Sequence, residues 1–70
     1  MGWIVMLKNE LKVLRTKCDM TQEELAERVG CTRQTIHSIE KNRYSPSLVL
    51  AFRIAAALDV SITDLFQYEE

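Results

Sequence analysis

Arg33, Gln34, His37 and Ser38 take the outward positions of one short helical run, and Lys41 and Arg43 follow just beyond it. Each carries hydrogen-bond donors. Donor-rich side chains on a projecting helix are what reading base edges in a major groove requires. An arginine in such a place pairs bidentately with guanine O6 and N7, and a glutamine with adenine N6 and N7. A good pair of this sort contributes about 1–3 kcal/mol of discrimination against a wrong base. Catalysis has no comparable footing. The chain shows no nucleophile–base pair, carboxylate dyad, glycine-rich phosphate loop or metal-ligand cluster. We therefore expect no enzyme activity, no metal and no cofactor.

The elements that must position this ridge are legible between Thr21 and Glu40. Thr21 is placed to cap a helix of about Gln22 to Val29, and Glu24, three residues on, completes a capping box. Leu25, Ala26 and Val29 define its inner face. Ala26 falls at the crossing with the next helix, where a larger side chain would push the two apart. Gly30 takes the left-handed backbone that reverses the chain. Thr32 then caps a second helix, about Arg33 to Lys41, whose Ile36 and Ile39 point inward.

The run MTQEELAERVGCTRQTIHSIEKNRYSPS resembles the helix-turn-helix of the phage-repressor (Cro/CI, or XRE) family of transcriptional regulators. The likeness continues through LKNELKVLR upstream and SLVLAFRIAAALDVSITDLF downstream, from about Leu7 to Phe66. It implies an all-α, five-helix bundle of the lambda-repressor-like type, to which the β-prone start of the chain could add a short N-terminal strand. Asp19 and Asn42 stand where the family usually has glycine, and both residue types tolerate positive φ better than most. The resemblance points to Thr32, Arg33, Gln34 and Ser38 as base readers. It makes Gln22 the anchor of a backbone phosphate and a brace for Gln34. Helix amides at the start of that helix would favour the same anion. Lys41, Asn42, Arg43 and Tyr44 read as positioning contacts to phosphate. Tyr44 has packing against the fourth helix as an equal alternative, and His37 is either a contact at the DNA edge or plain surface. In the family, the residues at Arg15 and Glu40 form a partly buried salt bridge, which here would fix the third helix against the first.

Other elements follow from periodicity. Leu7, Leu11 and Leu14 mark a first helix of about Lys8 to Lys17. Pro46 suits the first turn of a fourth helix that runs to about Leu58 and buries Leu48, Ala51, Ile54, Ala55 and Leu58. Ser61 caps a last short helix, Ile62 to Phe66, with Asp64 at its third position. No strand-like alternation is read after Met6. The chain divides into an extension (residues 1–6), the DNA-binding domain (7–66) and an acidic tail (67–70).

Seventy residues leave room for one domain and no separate sensing or catalytic module. Apolar residues at 47%, with two Gly and one Pro, fit a helical domain rather than disorder. No apolar run approaches the roughly 20 residues that span a bilayer, and the first six residues lack the form of a secretory signal. A cytoplasmic, nucleoid-associated protein is expected. Cys18 and Cys31 read as small semi-buried thiols in a reducing compartment. The net charge of −1 argues against a nucleic-acid binder only until its distribution is considered. Thr32 to Ser45 carries a local +2, whereas Asp59 to Glu70 carries four acids and no base. Phosphate contact requires a basic surface, not a basic whole.

One recognition helix covers too few base pairs for a tight site, so a homodimer on a palindromic operator is expected. Val49, Phe52 and Ala56 form a second apolar stripe on the fourth helix, and Phe66 extends it. These residues supply a dimer interface or simply cover the core. Trp3, Ile4 and Val5 are apolar and β-prone, and either pair with a second subunit or form a loose start. The leading reading is a DNA-binding regulator that represses transcription, with double-stranded DNA as its partner and no membrane. The alternative is an antitoxin-like adaptor that binds both DNA and a partner protein.

Overall fold

Hydroxyl side chains open four of the helices in the computed structural model of the chain, which describes residues 6–69. Thr21, Thr32, Ser47 and Ser61 each accept a hydrogen bond from the backbone N–H three residues on. The helices they begin are α2 (Gln22–Val29), α3 (Arg33–Glu40), α4 (Leu48–Ala57) and α5 (Ile62–Leu65). The first helix, α1 (Leu11–Lys17), starts differently: the Asn9 side-chain oxygen accepts from Leu11 N–H at 3.2 Å. Each satisfied amide at a helix start is worth about 1 kcal/mol. Capping therefore sets the boundaries that the ridge depends on.

Every helix sends a side chain to one centre. Leu11, Leu25, Ile36, Ile39, Ile54 and Leu65 are fully buried. Ala26 and Val29 on α2 and Ala51 and Ala55 on α4 surround them, so small residues occupy two facing helices where backbones approach. Gly30 closes α2 in the left-handed region at φ 78°, its N–H donating to Ala26 O at 2.9 Å. Asp19, Asn42 and Asp59 also have positive φ, at 53°, 59° and 55°. Asp59 was not foreseen as such a turn residue. Among the described residues no helix is long and apolar enough to cross a membrane.

A small antiparallel sheet accompanies the five expected helices; its first strand begins at Met6 rather than lying within residues 1–6, and its second was not expected. Strand β1 (Met6–Asn9) pairs with β2 (Phe66–Glu69), with Leu7 opposite Tyr68 and Lys8 opposite Gln67. The expected first turn of α1 is thus extended, because its backbone bonds go to the C-terminal segment instead. Glu10 N–H, at the end of β1, donates to Leu65 O at 2.9 Å and continues this junction. Phe66–Glu69 form a strand that overlaps the segment read as an acidic tail, and α5 ends at Leu65. The strand is intramolecular, and the segment expected to pair between subunits, Trp3 to Val5, lies outside the described residues.

Leu48 is a second correction. It is 70% exposed, although it shares a face with Ala51 and Ile54. With Ser47 as the cap and Pro46 before it, Leu48 is the first helical residue, and the core ends one turn later. There it borders an open recess of about 360 Å³ with Pro46, Ala51, Ile62 and Phe66.

Asn9 joins the sheet to the end of α3. Its Nδ2 donates to Ile39 O at 2.9 Å and to Asn42 Oδ1 at 2.7 Å. Replacing it (Asn9→Ala) removes the side-chain bond to the Ile39 carbonyl, which keeps its backbone bond from Asn42 N–H, and strands the Leu11 amide; it is expected to cost about 1–3 kcal/mol. Urea unfolding measures this, and an unchanged midpoint would show that the clamp contributes nothing.

Candidate nucleic-acid interface

The crossing of α2 and α3 places the ridge. Leu25, Ala26 and Val29 meet Ile36 and Ile39 in the core, and Cys31 N–H joins Gly30 N–H on Ala26 O. Two bonds to this one carbonyl close the turn. With its apolar face so fixed, α3 turns Arg33 and Gln34 outward, both exposed, and leaves His37 and Ser38 half-buried.

The third helix is tied to the first by a charged pair. Arg15 Nε donates to Glu40 Oε2 at 2.7 Å and Nη2 to Oε1 at 3.3 Å. Arg15 Nη1 donates to Met20 O at 2.7 Å, adding the α1–α2 connection to the same guanidinium. Only 3% of the Glu40 side chain remains exposed. Burial pushes the Glu40 carboxyl up, but hydrogen bonds from Arg15 and Gln22 and the charges of Arg15 and Lys12 outweigh it. The net result holds Glu40 below its ordinary value.

Gln22 connects this pair to the ridge. Its Nε2 donates to Glu40 Oε1 at 3.0 Å and lies 3.4 Å from His37 Nδ1, while its Oε1 accepts from Arg33 Nη1 at 3.4 Å. The amide thus meets Arg33, not the Gln34 that the family resemblance suggests. The start of α2 also holds a negative charge of the chain's own. Glu24 accepts from Thr21 N–H at 2.9 Å, and Glu24 N–H donates to Thr21 Oγ1 at 3.0 Å. Those bonds from the Thr21 backbone and hydroxyl hold the Glu24 carboxyl below its usual range.

The remaining sequence-derived positions lie around α3. Thr32 is exposed, but its hydroxyl oxygen accepts from Thr35 N–H at 3.1 Å and shares a 2.9 Å bond with Thr35 Oγ1. Gln34, Thr35, Ser38, Arg43 and Tyr44 border a shallow recess of about 240 Å³. Thr35 is the member that sequence reasoning missed; its place one turn before Ser38 was the available signal. Tyr44 is half-exposed and stands on the α3 side. Arg43 N–H donates to Ser38 O at 2.9 Å, which folds the loop back along the helix. Lys41 and Asn42 are exposed, and the Asn42 side-chain oxygen is turned toward Asn9.

On α4, Val49 and Phe52 are 62% and 54% exposed, with Ala56 exposed beside them. Phe66 is half-buried against the core. Neither cysteine is bonded to another: Cys18 is exposed, contrary to the semi-buried reading, and burial raises the pKa of the Cys31 thiol.

A capped, core-anchored helix with an exposed polar ridge, crossed by a second helix over a glycine turn, defines a helix-turn-helix DNA-binding protein. Residues 11–65 match the Helix-turn-helix family, and the chain belongs to that family of DNA-binding transcriptional regulators, in its Cro/CI-like branch. An uncharacterized HTH-type transcriptional regulator of Methanocaldococcus jannaschii is 52% identical over 64 residues, spanning 91% of this chain and 97% of that one. The restriction-modification controller protein C.AhdI of Aeromonas hydrophila superimposes with a TM-score of 0.75 at 36% identity, covering 80% of this chain and 81% of its own. Antitoxin HipB of Escherichia coli is 35% identical over 57 residues, 81% of this chain and 65% of HipB.

Removing one partner of the buried pair leaves the other charge uncompensated. Arg15→Ala is expected to cost about 3–5 kcal/mol, read as a lower thermal midpoint. The depressed Glu40 carboxyl contributes stability that is present above its unfolded pKa and is lost as pH falls through its folded value. A pH series of unfolding midpoints on Glu40→Gln should show a shallower acid decline than the parent; an equal slope would place the acid sensitivity elsewhere.

Proposed function

We propose that the chain is a sequence-specific repressor that works as a homodimer, each copy inserting α3 into the major groove of a palindromic operator. The observation that supports this reading most is the division of α3. Ile36 and Ile39 are buried, while Arg33 and Gln34 stand exposed, and Gln34 borders a recess with Ser38, Arg43 and Tyr44. Arg33 and Gln34 supply base contacts, with Ser38 and Thr32 beside them. Lys41, Arg43, Tyr44 and the free Asn42 amide nitrogen supply phosphate contacts that set register. The net charge of −1 makes non-specific attraction weak, so affinity depends on the specific contacts and on two copies acting together.

The α4 stripe of Val49, Phe52 and Ala56 supports the dimer, since adjacent exposed apolar residues on so small a protein call for cover. Selection from a random duplex pool should return a palindrome with half-sites about one helical turn apart, roughly 34 Å. Arg33→Ala and Gln34→Ala should each relax one position of it by about 1–3 kcal/mol. A pool that stays random would end this reading. Phe52→Lys should give a monomer by sedimentation with its helical spectrum intact; a dimer unchanged by that charge would move the interface off α4.

The likeness to the HipB antitoxins supports a second reading, in which the same α3 contacts DNA while α4 binds a partner protein. Stable co-purification with the product of an adjacent gene, lost in Phe52→Lys, would favour it over self-association.

A further inference from the structure

The recess at the start of α4 has no part in the ridge. Pro46, Leu48, Ala51, Ile62, Thr63 and Phe66 border it, around about 360 Å³ of open space. None of the six carries a charge. Thr63 Oγ1 is their one polar side-chain atom, and it shares a 3.1 Å bond with Ser61 Oγ. A site for a polar ligand would bring several polar groups together. This lining suits an apolar side chain instead. Leu48 at its edge is 70% exposed, more than Val49 or Phe52, so cover there would remove much apolar surface from water.

The chain contains a matching segment. Met1, Trp3, Ile4 and Val5 are apolar, Gly2 is the remaining residue of the five, and no charged side chain interrupts them. These five residues lie outside the described structure and join it at Met6. Length decides whose recess they reach. Met6 pairs with Glu69 and Asn9 with Phe66, so the chain enters β1 at the end remote from Phe66. The three steps from Met6 to the level of Phe66 cover about 10 Å. Trp3 is also three steps from Met6, at most about 11 Å when fully extended. Doubling back along β1 would use that whole length and leave no residue for the turn. A second copy is under no such limit. Its docking stripe on α4 is continuous with the recess, since Leu48 lies one turn before Phe52.

We propose that residues 1–5 form an arm exchanged between two copies, with Trp3 of each seated in the recess between α4 and α5 of the other. This rests on the self-association proposed above, and it names the part of a second copy that meets the start of α4. A buried indole N–H needs an acceptor, and the Thr63 hydroxyl oxygen supplies one. The exchange is reciprocal, as a two-fold pair requires.

Trp3 is the single tryptophan of the chain, so its fluorescence reports on the arm alone. At concentrations where sedimentation shows a dimer, its emission should be blue-shifted and shielded from acrylamide, and both effects should fade on dilution. Leu48→Glu puts an acid at the first position of α4, where the helix start favours it, and spoils the recess without opening the core. It should expose Trp3 and weaken dimerisation about tenfold. The deciding step mixes this variant with Trp3→Ala, whose recess is intact but whose arm lacks the indole. Every tryptophan in the mixture then belongs to a Leu48→Glu copy, and seating in the Trp3→Ala recess should restore the blue shift. Emission unchanged by mixing, with both variants keeping the parent's helical spectrum, would overturn the proposal. So would shielding that persists in the diluted monomer, which would place the arm on its own chain. A parent dimer with Trp3 fully exposed would overturn it while leaving self-association standing. A parent that is monomeric at every concentration would end the dimer reading and this proposal with it.

Discussion

A guanidinium and a carboxylate removed from water together determine how this domain presents α3. Taking each ion out of water costs several kcal/mol, and only close geometry with further hydrogen bonds offsets that cost. Both conditions hold here. Arg15 meets Glu40 through two nitrogens and uses a third on Met20 O, while Glu40 receives Gln22 on its other side. Among the described residues no buried side-chain nitrogen or oxygen lacks a partner. Apolar contact alone would let α3 roll or slide on its isoleucines, since dispersion has little directional preference. The pair supplies the missing direction, joining α1, the α1–α2 connection, α2 and α3 through one set of bonds.

That arrangement divides the surface into two regions of different chemistry. Around α3 are amide, guanidinium, hydroxyl and phenol groups supported from below by the polar network. Around α4 are Val49, Phe52 and Ala56, set on a helix whose other face is alanine and isoleucine. A chain of this size has a thin stability margin, and covering the α4 face would widen it. The two regions sit on different helices. Between them, Asn9 links the terminal sheet to the last turn of α3, so both chain ends support the helix that carries the polar ridge.

Much of this was legible because local signals agreed. Thr21 with Glu24, Gly30, Thr32 and Ser61 each have a capping or turn chemistry that needs no distant partner, and each sits where that chemistry places it. The core residues of α2 to α4 follow from helical spacing for the same reason, with Leu48 as the exception. It has the right period but lies beyond the end of the packed centre, a fact set by tertiary extent. The place of the first strand and the existence of the second were not legible, because four-residue strands carry little signal and Leu7 also fits a helical repeat with Leu11 and Leu14. The alternation of Phe66 and Tyr68 with Gln67 and Glu69 was present, but its meaning depended on a partner about sixty residues away. Site positions were legible as a face. Which atoms of that face are already engaged at home, as with Thr32, Gln22 and Asn42, was not, because those bonds cross between elements.

The claim that the buried pair directs α3, rather than merely stabilising the fold, is tested most directly by replacing both ions at once. Arg15→Met with Glu40→Leu exchanges them for apolar groups of similar volume, a change that is often neutral for stability. The measurement is sequence discrimination by that double variant, at a temperature where its unfolding curve shows it fully folded. The account predicts near-parental stability with discrimination reduced about tenfold or more, since Gln22 loses its anchor and α3 its fixed angle. A folded double variant that discriminates as well as the parent would contradict it.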